Sequence, residues 1–270
     1  MSISAPSRGL SRLSWDQYAA LPAVSHDVLR AMSLSPAHAR HLSLHPPPQT
    51  DAMRLGAALH CAVLEPAELQ RRYVAAPDLS RRTKEGKAAW AAVEADNPEA
   101  EILRAAEWPL CATMPDELMA RGGLIAALLH APGPCEISAV AEVNGVLIKV
   151  RPDKLCDIEH VGSVVLDLKF VRAADPWAFG GAVRFYGWAT RAAVYLDVLS
   201  ALAPHPRRYL FLAVEKEEPH GAAVYELDDE TMGRARQRLD GWITRYRECT
   251  ETGIWPGYPD GIEPVHVEYP

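Results

Sequence analysis

Asp167 and Lys169 stand two residues apart inside the apolar run Val164 to Phe170. A strand alternates its side chains between two faces, so Val164, Leu166, Leu168 and Phe170 share one face and Val165, Asp167 and Lys169 the other. A run this apolar reads as a central strand, where two charges must pair with one another or hold a metal. Asp153 lies fourteen residues before Asp167, and Glu136 lies further upstream. Between them, two apolar-alternating runs flank Asn144-Gly145, the dipeptide suited to a two-residue type I′ hairpin because both central residues need φ > 0. If Val143 pairs with Val146, counting outward places Glu136 opposite Asp153. Facing carboxylates destabilise a ladder unless a cation or a proton sits between them. The other face of the hairpin, with Ile137, Ala139, Ala141, Val143, Val146, Ile148 and Val150, is the expected core side, which leaves the carboxylates on an accessible side. Three carboxylates and a lysine converging on one sheet face suit a hard divalent cation with a lysine beside an activated water. The plainer alternative is a structural Asp167–Lys169 ion pair.

These residues need elements to hold them. The sequence predicts a largely buried helix over residues 51–65, carrying His60, with Gly56 one turn earlier allowing a close neighbour. Taken alone, a histidine there reads as a satisfied core residue or as a ligand. A helix beginning near Thr83 is preceded and opened by Arg81, Arg82, Lys84 and Lys87, which is either a phosphate site or a solvated face. Asp175-Pro176 opens a helical region running to about Leu202, in which Trp188, Arg191 and Tyr195 fall on one face. Residues 1–14 are Ser-rich and read as loose. A short helix follows from about His26, another after Ser35-Pro36, and an irregular Pro46-Pro47-Pro48 connector. A helical stretch from about Pro115 to His130 is interrupted at Gly122-Gly123. Strands at Arg207 to Glu215 and Ala222 to Leu227 precede a charged helix over Asp228 to Glu251. The expected architecture is an α/β core with a mixed central β-sheet flanked by helices, in a single domain over residues 15–270 with a helical part at 15–131 and a sheet core at 136–227.

Composition narrows the classes. A chain of 270 residues, 49% hydrophobic, can bury a sizeable core. It has no apolar run long enough to span a bilayer and no apolar stretch of a signal peptide at its start, so a cytoplasmic protein without a membrane partner is expected. The five cysteines are widely spaced without a C-x-x-C, against a disulfide framework or zinc site. A net charge of −7 gives no global footprint for nucleic acid. Basic residues are nonetheless grouped locally, at Arg71-Arg72, Arg81 to Lys87, Arg207-Arg208 and Arg234 to Arg238, and a groove need be positive only locally.

The run Arg151-Pro152-Asp153, followed by a strand with Asp167-Leu168-Lys169, resembles the PD-(D/E)xK nuclease superfamily. The chain is more closely similar to RecE-type exonucleases (exodeoxyribonuclease VIII), and more distantly to RecB-type nuclease domains. This rests on an ordered set of further segments: Trp15 to Tyr18, Val24-Ser25, Ser35 to His38, Leu55 to His60, Thr83 to Trp90 and Arg191 to Asp197. D-x-K alone is weak, whereas the ordered set is specific and covers most of residues 15–215. The resemblance implies a restriction-endonuclease-like core and a metal-dependent 5′→3′ exonuclease on double-stranded DNA in phage-type recombination. It implies Mg²⁺, with Mn²⁺ as a substitute, held by Asp153, Asp167, the Leu168 main-chain carbonyl and His60. Lys169 would act on the attacking water, and Glu136 at the metal or through a water. Arg81, Arg82, Lys84, Lys87, Arg151, Arg191 and Tyr195 would contact DNA. At Arg191 the chain departs from these families, which usually carry Gln. The partners implied are double-stranded DNA ends, a single-strand annealing recombinase and a homo-oligomeric ring. The other readings are a catalytically inactive DNA-binding or scaffolding protein of the same fold, and a PD-(D/E)xK endonuclease.

Overall fold

The structure is a computed structural model that describes residues 8–262. Its first element is a short strand, β1 (Gly9–Ser11), within the stretch read from sequence as loose; the remainder of that reading, residues 1–7, lies outside the described residues. Three small helices follow: α1 (Trp15–Ala19), α2 (His26–Ala31) and α3 (Pro36–Leu44). Ser14 and Gln17 form a reciprocal capping box on α1, and Ser35 caps α3 with Pro36 in its first turn. Beyond the proline connector, Thr50 accepts from Met53 N–H and starts α4 (Asp51–Leu64), the predicted buried helix. Then come α5 (Pro66–Arg72), β2 (Tyr73–Ala75), α6 (Lys84–Asp96), β3 (Glu101–Leu103), α7 (Trp108–Ala120) and α8 (Gly123–His130). The α7 helix starts well before the expected Pro115, which lies inside it, and the Gly122-Gly123 break separates it from α8 as expected, both glycines at positive φ.

The hairpin is β4 (Ser138–Val143) and β5 (Val146–Val150), in the predicted register Val143↔Val146, with Asn144 and Gly145 both at positive φ. The two strands do not run on to Asp153. Glu136 adopts a left-handed φ of 50°, and Arg151-Pro152 ends the ladder. The facing of Glu136 and Asp153 survives as a single main-chain bond, Glu136 N–H to Asp153 O at 2.9 Å. After Asp153 the chain enters β6 (Lys154–Ile158), a strand that the sequence pattern does not announce, and then β7 (Gly162–Val171), α9 (Pro176–Tyr186), α10 (Trp188–Leu202), β8 (Arg208–Glu215), β9 (Ala222–Glu226) and α11 (Asp229–Thr252).

Two sheets result, beside a small parallel pair of β2 and β3. One has the order β1-β4-β5. The other is mixed, β6-β7-β8-β9, with β7 and β8 parallel and joined through α9 and α10. The strand bearing Asp167 and Lys169 is therefore central, as its apolar character required. Both its faces are covered. Val165 and Val171 join a core with Phe211, Val194 and Leu239, which packs α10 and α11 against the sheets; Val164, Leu166 and Leu168 join a second core with Leu59, Met114 and Leu118 from α4 and α7. Among the described residues, no helix is long and apolar enough to cross a membrane.

Candidate metal centre and nuclease site

The register of β6 against β7 brings the two aspartates together. Lys154 pairs with Leu166, so one step further places Asp153 opposite Asp167. Asp153 sits just before the start of β6, and its Oδ2 accepts the Leu168 N–H at 2.7 Å. The accessible face expected from the hairpin is not what these carboxylates occupy: Asp167 is 1% and Asp153 5% exposed, because α10 covers one side and α4 closes the other. From α4, His60 reaches the same place, its Nδ1 3.5 Å from Asp153 Oδ2 and 3.9 Å from Glu136 Oε1, with its ring edge-on to Phe170. The Leu168 carbonyl also faces this ring. Lys169 Nζ donates to Asp167 Oδ1 at 2.6 Å.

Burial and charge set the ionisation. Asp153 is pushed well above the usual carboxylate range, first by burial and then by the neighbouring Asp167 carboxylate. Burial acts on Asp167 too, but Lys169 and Arg191 outweigh it and hold that carboxyl below its ordinary value. Of the two, Asp153 is therefore the carboxyl that favours its protonated form. Glu136 is raised by burial in spite of Arg151. His60 is pushed down to about 4 by burial and by the Lys169 charge, so near neutral pH it is an uncharged imidazole, the form that ligates metals.

The donors present fit a divalent cation. One ligand atom from each of His60, Glu136 and Asp153 lies within 4.8 Å of the others. The Asp167 Oδ2 is buried without any hydrogen-bond partner, an orphan that a cation would satisfy. His60, Asp153, Asp167 and the Leu168 carbonyl, with Glu136 beside them, would hold the ion. Mostly oxygen donors suit Mg²⁺ or Mn²⁺.

The DNA contacts expected from sequence are placed less uniformly. Arg151 turns inward: its Nε donates to Glu136 Oε2 at 2.8 Å and its guanidinium to Leu13 O at 2.9 Å, so it holds Glu136 rather than presenting a free cation. Tyr195 is buried beneath Arg191, whose guanidinium lies 4.6 Å from the ring centroid; it supports the site from below and has no exposed surface for DNA. Arg191 Nε stands 3.9 Å from Asp167 Oδ1 and has no hydrogen-bond partner. Burial works against its charge, yet the surrounding tyrosines and Asp167 hold it firmly protonated. The predicted shared face of Trp188, Arg191 and Tyr195 is thus present, with Trp188 at Lys169, Arg191 at Asp167 and Tyr195 packed under Arg191. The Thr83-capped helix α6 also forms as predicted. Arg81 is stacked 3.7 Å above the Trp90 ring centroid and paired with Glu94 at 3.0 Å, while Arg82, Lys84 and Lys87 are exposed. These four form no hydrogen bond or ion pair with the carboxylate cluster among the described residues.

Two neighbours escape sequence reasoning as site residues. Trp188 lies with its ring centroid 5.3 Å from Lys169 Nζ, and Tyr209 on β8 carries a buried hydroxyl without a partner. Position on one helical face signals Trp188. Tyr209 has no local signal, because its nearness to Arg191 and Asp167 depends on the β7–β8 register.

Comparison with known proteins agrees with this fold. The family described as "PDDEXK-like domain of unknown function (DUF3799)" matches residues 25–267. A crystal structure described as a "Putative exonuclease" from Eubacterium rectale is similar in fold, with a TM-score of 0.59 over 96% of this chain and 97% of that chain at 12% identity. The crystal structure of SSO0001 aligns with 70% of this chain and 86% of that chain at a TM-score of 0.29 and 16% identity, too low a score to bear on the argument. No curated protein sequence matches the chain.

Proposed function

The chain belongs to this PDDEXK-like family, within the PD-(D/E)xK superfamily, and from that premise we propose that it is a metal-dependent nuclease hydrolysing phosphodiester bonds, acting as a 5′→3′ exonuclease on the ends of double-stranded DNA. The observation that carries the proposal is the convergence of half-buried His60 and Glu136 with buried Asp153, beside buried Asp167 with its orphaned Oδ2 and Lys169 at its edge.

The residues divide the work by their environments. Asp153, oriented by the Leu168 N–H, and Asp167, beside Arg191, would hold the ion as carboxylates. His60, uncharged, adds a nitrogen donor and leaves the net negative charge of the carboxylates to offset the cation. Bound Mg²⁺ supplies Lewis-acid polarisation of a phosphate oxygen and a more acidic bound water. Lys169, held beside Asp167, would orient the attacking water and stabilise charge developing on the phosphate. Arg151 fixes Glu136 so that its second oxygen faces the site. Exposed Arg82, Lys84 and Lys87 would supply phosphate contacts, and Arg191 a buried positive charge behind the reacting group.

The exonuclease polarity, duplex ends as substrate, an annealing recombinase as partner and assembly into a ring come from the RecE-type resemblance. One assay decides the central reading: nucleotide release from linear and from covalently closed circular duplex, with and without Mg²⁺. Mononucleotides should leave the linear molecule steadily, only with metal, and the circle should resist. Circles cut as fast as linear molecules would replace this reading with an endonuclease, and absence of any cleavage in Mg²⁺ or Mn²⁺ would replace it with a binding protein.

A further inference from the structure

A continuous file of aromatic rings leads outward from Lys169. Trp188 lies over the Lys169 ammonium, Tyr186 stacks on Trp188 with centroids 5.2 Å apart and planes within 19°, and Phe185 meets Tyr186 edge-on at 4.9 Å. Exposure rises along the file. Trp188 is half-buried in the core, Tyr186 is 52% and Phe185 75% exposed. Large aromatics left in solvent next to one another are costly and mark a binding surface. Nothing in the fold requires them there: they occupy the last turn of α9, whose inward residues Phe179 and Val183 already fill the core. Exposed Arg184 adjoins them and adds a cation beside the rings.

We propose that Tyr186 and Phe185 are a stacking platform for the bases of a single nucleic-acid strand leaving the scissile phosphate. The inference deepens the nuclease reading and takes its reacting phosphate as the point from which the strand departs. Continuity with the catalytic lysine identifies the occupant. A strand whose phosphate lies at Lys169 must pass its adjoining nucleotides over the neighbouring surface, and that surface is Trp188, Tyr186 and Phe185 with Arg184 available to a backbone phosphate. Flat π-faces accept any base, so the platform is sequence-tolerant, as an end-processing enzyme requires. A duplex cannot offer base faces sideways. The terminal pairs must therefore part before the strand reaches the site, and the platform holds the strand that has separated.

The test compares two fluorescein-labelled single-stranded oligonucleotides on one sugar–phosphate backbone, with normal bases or with abasic residues, binding by fluorescence anisotropy with Ca²⁺ in place of Mg²⁺. The wild-type chain should bind the base-bearing strand about ten- to a hundredfold more tightly than the abasic one, the range expected for one lost stack. Phe185→Ala/Tyr186→Ala should bring the two within about twofold, while Phe185→Trp/Tyr186→Trp keeps the preference and shows that the alanine effect is stacking rather than misfolding. Equal wild-type affinity for the two strands would overturn the proposal, as would a preference that survives the alanine pair. Hydrolysis of bis(p-nitrophenyl) phosphate, a diester without bases, separates the two ideas. Failure of the wild type to hydrolyse either this diester or DNA would sink the nuclease reading while the anisotropy still decides the platform.

Discussion

Replacing Asp153 by Asn should stabilise the metal-free protein and nearly abolish its response to metal. Asp153 and Asp167 face each other by the β6–β7 register, and two unit charges at contact distance repel by about 4 kcal/mol at an effective dielectric constant of 20. Lys169 and Arg191 beside Asp167 offset roughly half of this, leaving about 2 kcal/mol that the wild-type chain relieves by holding a proton on Asp153 or tolerates when that proton is lost. An asparagine accepts the Leu168 N–H through its oxygen and donates to Asp167 through its amide, reproducing the protonated state at every pH. The sign follows from the raised Asp153 value. A carboxyl whose folded pKa lies above its unfolded one costs stability as pH rises through the unfolded value near 4 and onward, so the wild type is penalised at neutral pH and not in acid. In EDTA at pH 7 the variant should melt about 4–8 °C above the wild type, at 2–4 °C per kcal/mol for a chain of this size, and the gap should close as pH falls toward 4. Adding Mg²⁺ at about a hundred times its dissociation constant should stabilise the wild type by about 2.7 kcal/mol and the variant far less. Differential scanning fluorimetry with and without EDTA measures all three. A variant that melts below the wild type in EDTA, or that gains as much from Mg²⁺, would refute the shared-site reasoning.

The other expectations are quickly stated. Lys169→Ala should lower turnover on linear duplex by at least about a hundredfold with little change in DNA affinity, since the lysine acts on the water and the developing charge; single-turnover kinetics beside a binding titration would reveal a variant that keeps its rate. Arg151→Ala leaves half-buried Glu136 without its partner and should cost about 2 kcal/mol in urea denaturation at neutral pH, as well as weakening metal binding by calorimetry. Arg82→Ala/Lys87→Ala should make the log-affinity against log-salt slope for duplex shallower by up to about two, roughly 0.9 per phosphate contact, while Arg81→Ala should show mainly a loss of helix stability because that side chain already serves Trp90 and Glu94. Unchanged slopes would remove α6 from the DNA surface.

Local patterns made a good part of this protein legible in advance. Period-2 alternation put Asp167 and Lys169 on one face of a central strand, Asn144-Gly145 fixed the hairpin register, and Ser35, Thr83, Asp175 and Asp228 stand at helix starts where their side chains can satisfy free N–H groups. Such signals survive because they depend on neighbours within a few residues. The assembly of the site depended on longer reach. Asp153 meets Asp167 because β6 pairs with β7, and β6 is a short strand whose lysine and aspartate give no alternation to read. His60 arrives from a helix some ninety residues earlier in the chain, held by the second core, so its partners are set by packing. The depth of the site was likewise invisible: a hairpin considered alone has an open face, and only the docking of α10 and α4 buries the aspartates and shifts their protons. The same docking turned Arg151 and Tyr195 from surface candidates into supports. A sequence specifies which groups carry charge, but how strongly one group feels another depends on separation and on the water excluded between them, and those are properties of the folded chain.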